Sequence, residues 1–330
     1  MRLTEERYIS LLTDFGFKRI FGSDINKDLL IDFLNSLFNG EQVVKNVTYL
    51  NSEHVGDVYA ERKAIFDVYC ENEHGEKFIV EMQNAYQTYF KDRSLYYATF
   101  PIREQAPKGD NWNFKLQHVY VVALLNYDMN EEAFSHESIN HDVGLLDKQT
   151  HKVFNNKLTF KYVEIARFNK DINELETNFD KWLYVLRNLS RLDNQPTYLR
   201  NEVFNRLFSQ AEIARFDKKE LKAYEDSLKA YRDIKNSLDT AKEEGRAEGL
   251  AEGRAEGHAE GLAEGLAEGR AKGHAEGHAE GRAEGLAEGA SEKALTIARE
   301  LLAMNMSIDN IKKVTGLTDD EIHNLSNTSL

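Results

Sequence analysis

One cysteine, three prolines and two tryptophans occur in 330 residues. The lone Cys70 excludes an internal disulfide and a cysteine-based zinc site. Long apolar runs are missing too: the longest, Val119 to Leu125, falls far short of the roughly 20 residues a membrane-spanning helix needs. No charged start leads into an apolar run and a cleavage-like site, so the expected location is the cytoplasm, with no membrane partner. Positive charge is scarce: 42 Lys and Arg face 56 Asp and Glu, a formal net charge of -14. Residues 241–330 hold 18 acidic and 10 basic residues, so -8 falls there and -6 on residues 1–240. Binding a polyanion normally favours a basic surface, so any nucleic-acid contact must use a local patch and be steeply salt-dependent. The 10 histidines are scattered, with metal-ligand spacing in the tail repeats alone.

What the chain does have is a hairpin with acids on it. Phe66-Asp67-Val68-Tyr69-Cys70 and Phe78-Ile79-Val80-Glu81-Met82-Gln83 alternate with period 2 and flank a polar turn through His74-Gly75. A three-residue loop, Glu73-His74-Gly75 with Gly75 left-handed, sets Asp67 directly opposite Glu81. Cross-strand neighbours have Cβ atoms about 4.5–5.5 Å apart, close enough for two carboxylates to share one hard cation. Gln83 follows on the same face, and alternation turns Cys70 away from it into the core. Two carboxylates on adjacent strands with a polar side chain one step further suit metal-dependent phosphodiester hydrolysis. The acids hold Mg2+, or Mn2+ in its place, and the third side chain orients the attacking water. The plainer reading, acids on a solvated strand face, stands beside it.

This pattern resembles the Asp…Glu-x-Lys signature of restriction-endonuclease-like nucleases, with Gln83 where lysine is commoner. More closely, the chain resembles the recombination-promoting nuclease/putative transposase family of bacteria (PD-(D/E)XK nuclease family transposase). The resemblance rests on Thr13-Asp14-Phe15-Gly16-Phe17-Lys18-Arg19-Ile20-Phe21-Gly22, Phe66-Asp67-Val68, Val80-Glu81-Met82-Gln83 and Arg93-Ser94-Leu95-Tyr96-Tyr97. It implies a DNA endonuclease of low sequence specificity that promotes recombination or transposition, with Asp67 and Glu81 as metal ligands and Gln83 positioning water. Asp14 would be a third acid contributed by the first helix, although capping that helix is its ordinary role. Lys18, Lys63, Arg93 and Tyr97 are candidate DNA contacts, against the alternative of solvated basic residues and packed aromatics. A neutral Gln83 cannot supply the positive charge of a lysine. A catalytically weak nuclease-like fold serving as an oligomeric interaction scaffold is therefore the alternative.

Helical spacing predicts a first helix from Thr13 and a second through Leu29 to Leu37, stopped by Asn39-Gly40. Val43 to Leu50 reads as a strand, about Thr88 to Gln105 as a helix carrying Lys91, Arg93 and Arg103, and His118 to Leu125 as a buried strand. Phe154 to Ala166 reads as an edge strand. The expected fold is α/β, a restriction-endonuclease-like mixed sheet flanked by helices, over residues 1–170. A helical module packed on that core is expected at 171–240, a glycine repeat at 241–290 and a C-terminal helical hairpin at 291–330.

In the repeat, glycine recurs at every fourth position from Gly245 to Gly289, twelve times, mostly in Ala-Glu-Gly-X units. Period 4 exceeds 3.6, so the glycine stripe advances about 40° per unit around a helix. Each glycine costs about 0.8–1 kcal/mol relative to alanine, so twelve cost about 10 kcal/mol and an isolated helix is marginal. Either copies assemble through a homo-oligomeric helical region or the segment is a flexible linker. After it, Ser307 opens a short helix ending near Gly316, and Thr318-Asp319-Asp320-Glu321 is a capping box. Three acids at the start of that last helix repel phosphates, so the hairpin reads as a protein contact or a helix cap rather than a DNA reader. Circular dichroism of residues 241–290 is expected to show helicity that rises with concentration; concentration-independent coil would rule out self-assembly through the repeat.

Overall fold

In the computed structural model, which describes residues 6–54, 64–106 and 112–327, the chain divides into two units, Met1–Lys242 and Glu243–Leu330. The first begins with α1 (Asp14–Phe21) and α2 (Lys27–Phe38), which bury Phe17, Ile20, Phe21, Leu30, Phe33, Leu34 and Phe38 on facing sides. Thr13, not Asp14, caps α1: its hydroxyl accepts from Gly16 N at 3.1 Å and donates to the Ser10 carbonyl at 2.7 Å. Thr13 is the residue with extended backbone geometry, which leaves Asp14 in the first helical turn. α2 stops at Asn39, which takes the left-handed conformation at φ 46°.

Six strands form one mixed sheet in the order β1-β4-β5-β6-β8-β7. They are β1 (Val47–Tyr49), β4 (Val68–Asn72), β5 (Lys77–Gln83), β6 (Val119–Leu125), β7 (Asn140–Leu146) and β8 (Val153–Glu164). β2 (Glu53–His54) and β3 (Ala64–Ile65) pair separately. β1, β4 and β5 are antiparallel, β5, β6 and β8 run parallel, and β7 returns antiparallel to β8. The parallel crossover from β5 to β6 contains α3 (Phe90–Glu104). β1 is shorter than the expected 43–50 strand.

The segment expected to be an edge strand is not one. β8 lies inside the sheet, and the edge is β7, which sequence reading missed. Its Asn-His-Asp-Val-Gly-Leu-Leu run has no two-residue period, and residues 142–146 are exposed, so the apolar alternation that marks a strand is absent. The buried stretch Phe160–Glu164 reflects pairing with β6 on one side and β7 on the other.

Alternation along the strands divides the core. Val68, Cys70, Phe78, Val80 and Met82 face α1 and α2, together with α4 (Asn178–Asn188), α5 (Glu202–Ala211) and the first turns of α6 (Lys218–Ala303). Tyr69, Ile79, Val121, Ala123 and Tyr162 face α3 through Phe90, Ala98 and Phe100. α4 is tied to α2 by Trp182, whose Nε1 donates to Asp32 Oδ1 at 2.6 Å.

In the second unit the Ala-Glu-Gly-X repeat lies within α6, and beyond the local helix backbone no atom lies within 4 Å of where its glycines would carry a Cβ. α7 (Ile308–Thr315) and α8 (Asp319–Asn327) pack Ile311, Leu317, Ile322 and Leu325 on Leu295, Ala298, Leu301 and Leu302 of α6. The expected C-terminal hairpin thus packs on the end of α6 to make a three-helix cluster. The capping box forms, with Thr318 N donating to Glu321 Oε2 at 2.7 Å and Glu321 N to the Thr318 hydroxyl at 3.4 Å.

Glycine is required at position 16 for space. A Cβ there would lie 2.1 Å from the Ser10 carbonyl oxygen, a backbone atom that cannot swing aside. G16A is expected to destabilise the first unit by about 3 kcal/mol or more, lowering Tm by roughly 6–12 °C in a calorimetric scan. G249A, where a methyl group meets open space, is expected to lose nothing.

Candidate nuclease site

The β4–β5 hairpin turns through the expected three-residue loop. Gly75 has φ 75°, its N–H donates to the Asn72 carbonyl at 3.0 Å, and Asn72 Oδ1 accepts from the backbone of His74 and Glu76 at 3.0 Å. Pairs on the two strands are 71↔77, 70↔78, 69↔79 and 68↔80. That register carries Asp67 opposite Glu81, one position beyond the last backbone pair. There side chains replace the ladder. Asp67 N donates to Glu81 Oε1 at 3.2 Å, and Met82 N donates to Asp67 Oδ2 at 2.9 Å. Each carboxylate spends one oxygen on the other strand's freed N–H and keeps its second oxygen for something else.

Those second oxygens face one donor from α1 and one from the strand itself. Lys18 Nζ lies 3.7 Å from Asp67 Oδ1 and 2.6 Å from Asp14 Oδ1, one turn back on α1. Gln83 Nε2 lies 3.3 Å from Glu81 Oε2. Gln83 Oε1 in turn accepts from Arg93 Nη2 at 2.5 Å. The α1 end is fixed to the strand by Asn84, whose Nδ2 donates to the Leu12 carbonyl at 2.7 Å. Sequence reading passed over Asn84, and its only signal there was a place directly after Glu-x-Gln.

Glu81 is 5 % exposed. Burial, reinforced by the neighbouring Asp67 charge, pushes its carboxyl up to about 8. Burial also raises Asp67, against the Met82 N–H and the Lys18 charge. Two acids held this way resist ionising together, and a cation between them removes the penalty. The donors are hard oxygens suited to Mg2+ or Mn2+. Among the described residues no three His, Cys, Asp or Glu side chains converge on one point. A cation here would take two carboxylates and fill its other positions with water and phosphate oxygens, as Mg2+ usually does.

The other expected site residues divide. Asp14 sits one salt bridge away from Asp67, through Lys18. Arg93 reaches the cluster through Gln83. Tyr97 packs its ring against Phe66, with centroids 5.1 Å apart, and under Arg93. Lys91 pairs with Glu131 at 2.8 Å and Arg103 lies over Phe100, so neither joins Arg93. Lys63 lies outside the described residues. Tyr86 and Tyr89, exposed by 53 % and 75 % ahead of α3, were not singled out in the sequence because no spacing separates an exposed tyrosine from a core one.

The sequence model described as PD-(D/E)XK nuclease family transposase matches residues 11–241. That described as Rpn/YhgA-like nuclease family, C-terminal HTH domain, matches residues 291–327. The latter gives the three-helix cluster a helix-turn-helix assignment, where the acids opening α8 had suggested a protein contact. Comparison with curated proteins and with solved structures finds no match. Asp67, Glu81 and Gln83 all fall inside the first match, which spans well over half of the 330 residues, and the chain therefore belongs to the PD-(D/E)XK nuclease family of transposases.

Proposed function

We propose that the protein is a Mg2+-dependent DNA endonuclease of low sequence specificity that promotes recombination or transposition and works in the cytoplasm. The observation that carries this is the opposed pair Asp67 and Glu81, each with one oxygen tied to the other strand and one left over. PD-(D/E)XK nucleases generally use divalent metals, and this donor set suits one. When bound, the ion supplies Lewis-acid stabilisation of the phosphate and lowers the pKa of a coordinated water.

The chain's own residues do the rest. Asp67 and Glu81 would hold the ion in a fixed position, because their partner-strand hydrogen bonds immobilise both carboxylates. Gln83 faces the same side and donates to water or phosphate oxygen. Lys18, with Asp14 behind it, is placed for a phosphate oxygen. The helix-turn-helix domain at 291–327 provides a second DNA contact, and assembly of copies through the glycine repeat would add avidity to an acidic protein with weak single-site affinity.

The scaffold reading draws on Gln83, a neutral side chain where lysine is commoner. A titration of Mg2+ and Mn2+ against supercoiled plasmid separates the two, since a scaffold nicks nothing under any divalent ion. D67A and E81Q are each expected to lower the nicking rate at least about 100-fold with the circular dichroism spectrum unchanged; wild-type rates in both variants would end the nuclease reading.

Stability is expected to follow the Glu81 proton. Unfolded, the carboxyl ionises near 4.5; folded and metal-free, it holds its proton up to about 8. The raised folded value means the stabilising contribution is complete below 4.5 and is lost as pH rises towards 8. Asp67, also raised, acts in the same direction. In EDTA, Tm should therefore fall between pH 5 and 8, E81Q should flatten that fall, and the Tm gain from added Mg2+ should grow with pH because binding displaces the proton. A Mg2+ gain that does not change with pH would contradict this.

A further inference from the structure

The polarity of Gln83 is set from outside its own strand. Its carbonyl oxygen accepts from Arg93 Nη2 at 2.5 Å, which turns the NH2 group towards Glu81 Oε2 at 3.3 Å. Arg93 stands in the first turn of α3 and its other terminal nitrogen is held by Gln87 Oε1. The guanidinium lies over the rings of Phe90 and Tyr97, 5.1 and 5.6 Å from their centroids. Its Nε–H is buried and has no hydrogen-bond partner among the described residues. Leaving a charged group's N–H unpaired inside a protein is costly, and such groups occur where the position itself is needed.

We propose that Arg93 is the positioning residue for Gln83 and brings from α3 the positive charge that a lysine at position 83 would carry. This rests on the nuclease reading above and goes beyond it. A lysine on the strand would combine two functions in one side chain, a donor and a cation. Here they are split. Gln83 is the donor, and Arg93 fixes its direction and sets a guanidinium charge behind it. A neutral amide is too weakly basic to take a proton at working pH, so Gln83, with its NH2 turned towards the acids, can donate to a water lone pair or a phosphate oxygen and orients the nucleophile without acting as a base. Lys18 serves the opposite side of the pair, on Asp67. The two acids are therefore flanked by one cation from each neighbouring helix, which offsets the repulsion between an acidic protein and a phosphodiester.

Full-length R93Q, R93K, Q83K and the double variant R93Q/Q83K separate this role from a structural one, with K91Q as a control for charge on the same helix. R93Q is expected to lower kcat about 100-fold with KM within about threefold. R93K should recover little, because a lysine cannot form the planar fork. Adding Q83K to R93Q should restore at least about tenfold of the loss, since the strand lysine supplies donor and charge together. K91Q should match wild type. A loss in R93Q that Q83K leaves untouched, or an R93Q with wild-type kcat, would overturn the proposal. A readout independent of turnover is hydrogen exchange of the Gln83 side-chain amide by NMR in the metal-free protein. It should be slow in wild type and at least about tenfold faster in R93Q; equal exchange in the two overturns Arg93 as a positioning residue. Wild-type protein that nicks no DNA ends the nuclease reading, and the exchange measurement then decides the Arg93–Gln83 relation by itself.

Discussion

The site depends on a backbone ladder that stops one pair early. Between β4 and β5 the last main-chain pair is Val68 with Val80, and at the next position two carboxylates take over the hydrogen bonding. Two N–H groups at the end of a buried ladder need acceptors, and Asp67 and Glu81 provide them. The same bonds remove the rotamer freedom of both acids. Structure and chemistry thus draw on one arrangement: whatever keeps the strand ends satisfied also holds two carboxyl groups where they resist ionising together.

Everything around the pair either fixes it or balances its charge. From one face of the sheet, α1 sends Lys18 to Asp67, and α1 is held by the Thr13 cap, by the close approach of Gly16 to Ser10, and by Asn84 reaching the Leu12 carbonyl. From the other face, α3 sends Arg93 to Gln83. Strand alternation separates these two helices, since Val68, Cys70, Phe78, Val80 and Met82 fill one core, Tyr69 and Ile79 fill the other, and Asp67, Glu81 and Gln83 meet at the site. The cluster sits where the sheet ends and both layers can reach it.

The charge balance of the whole chain constrains how such a site could be used. With -14 overall, long-range attraction of a polyanion is absent, and local cations and a helix-turn-helix domain are what the chain offers a nucleic acid. No helix among the described residues is long and apolar enough to cross a membrane.

The hairpin was legible from sequence because its signals are local: period-2 alternation, a glycine able to take positive φ, and a register fixed by a three-residue loop. Asp67 and Glu81 followed from that register by counting. The long apolar helices and the Asn39-Gly40 stop were legible for the same reason. What sequence could not reach depends on non-local packing. β7 has no apolar alternation and is a strand because β8 offers it an edge. Thr13 rather than Asp14 caps α1 because a turn at Ser10 closes on it. The pairing of Arg93 with Gln83, and of Lys18 with Asp67, joins residues 10 and 49 positions apart, and only the crossover of α3 and the docking of α1 against the sheet bring those charges to the acids.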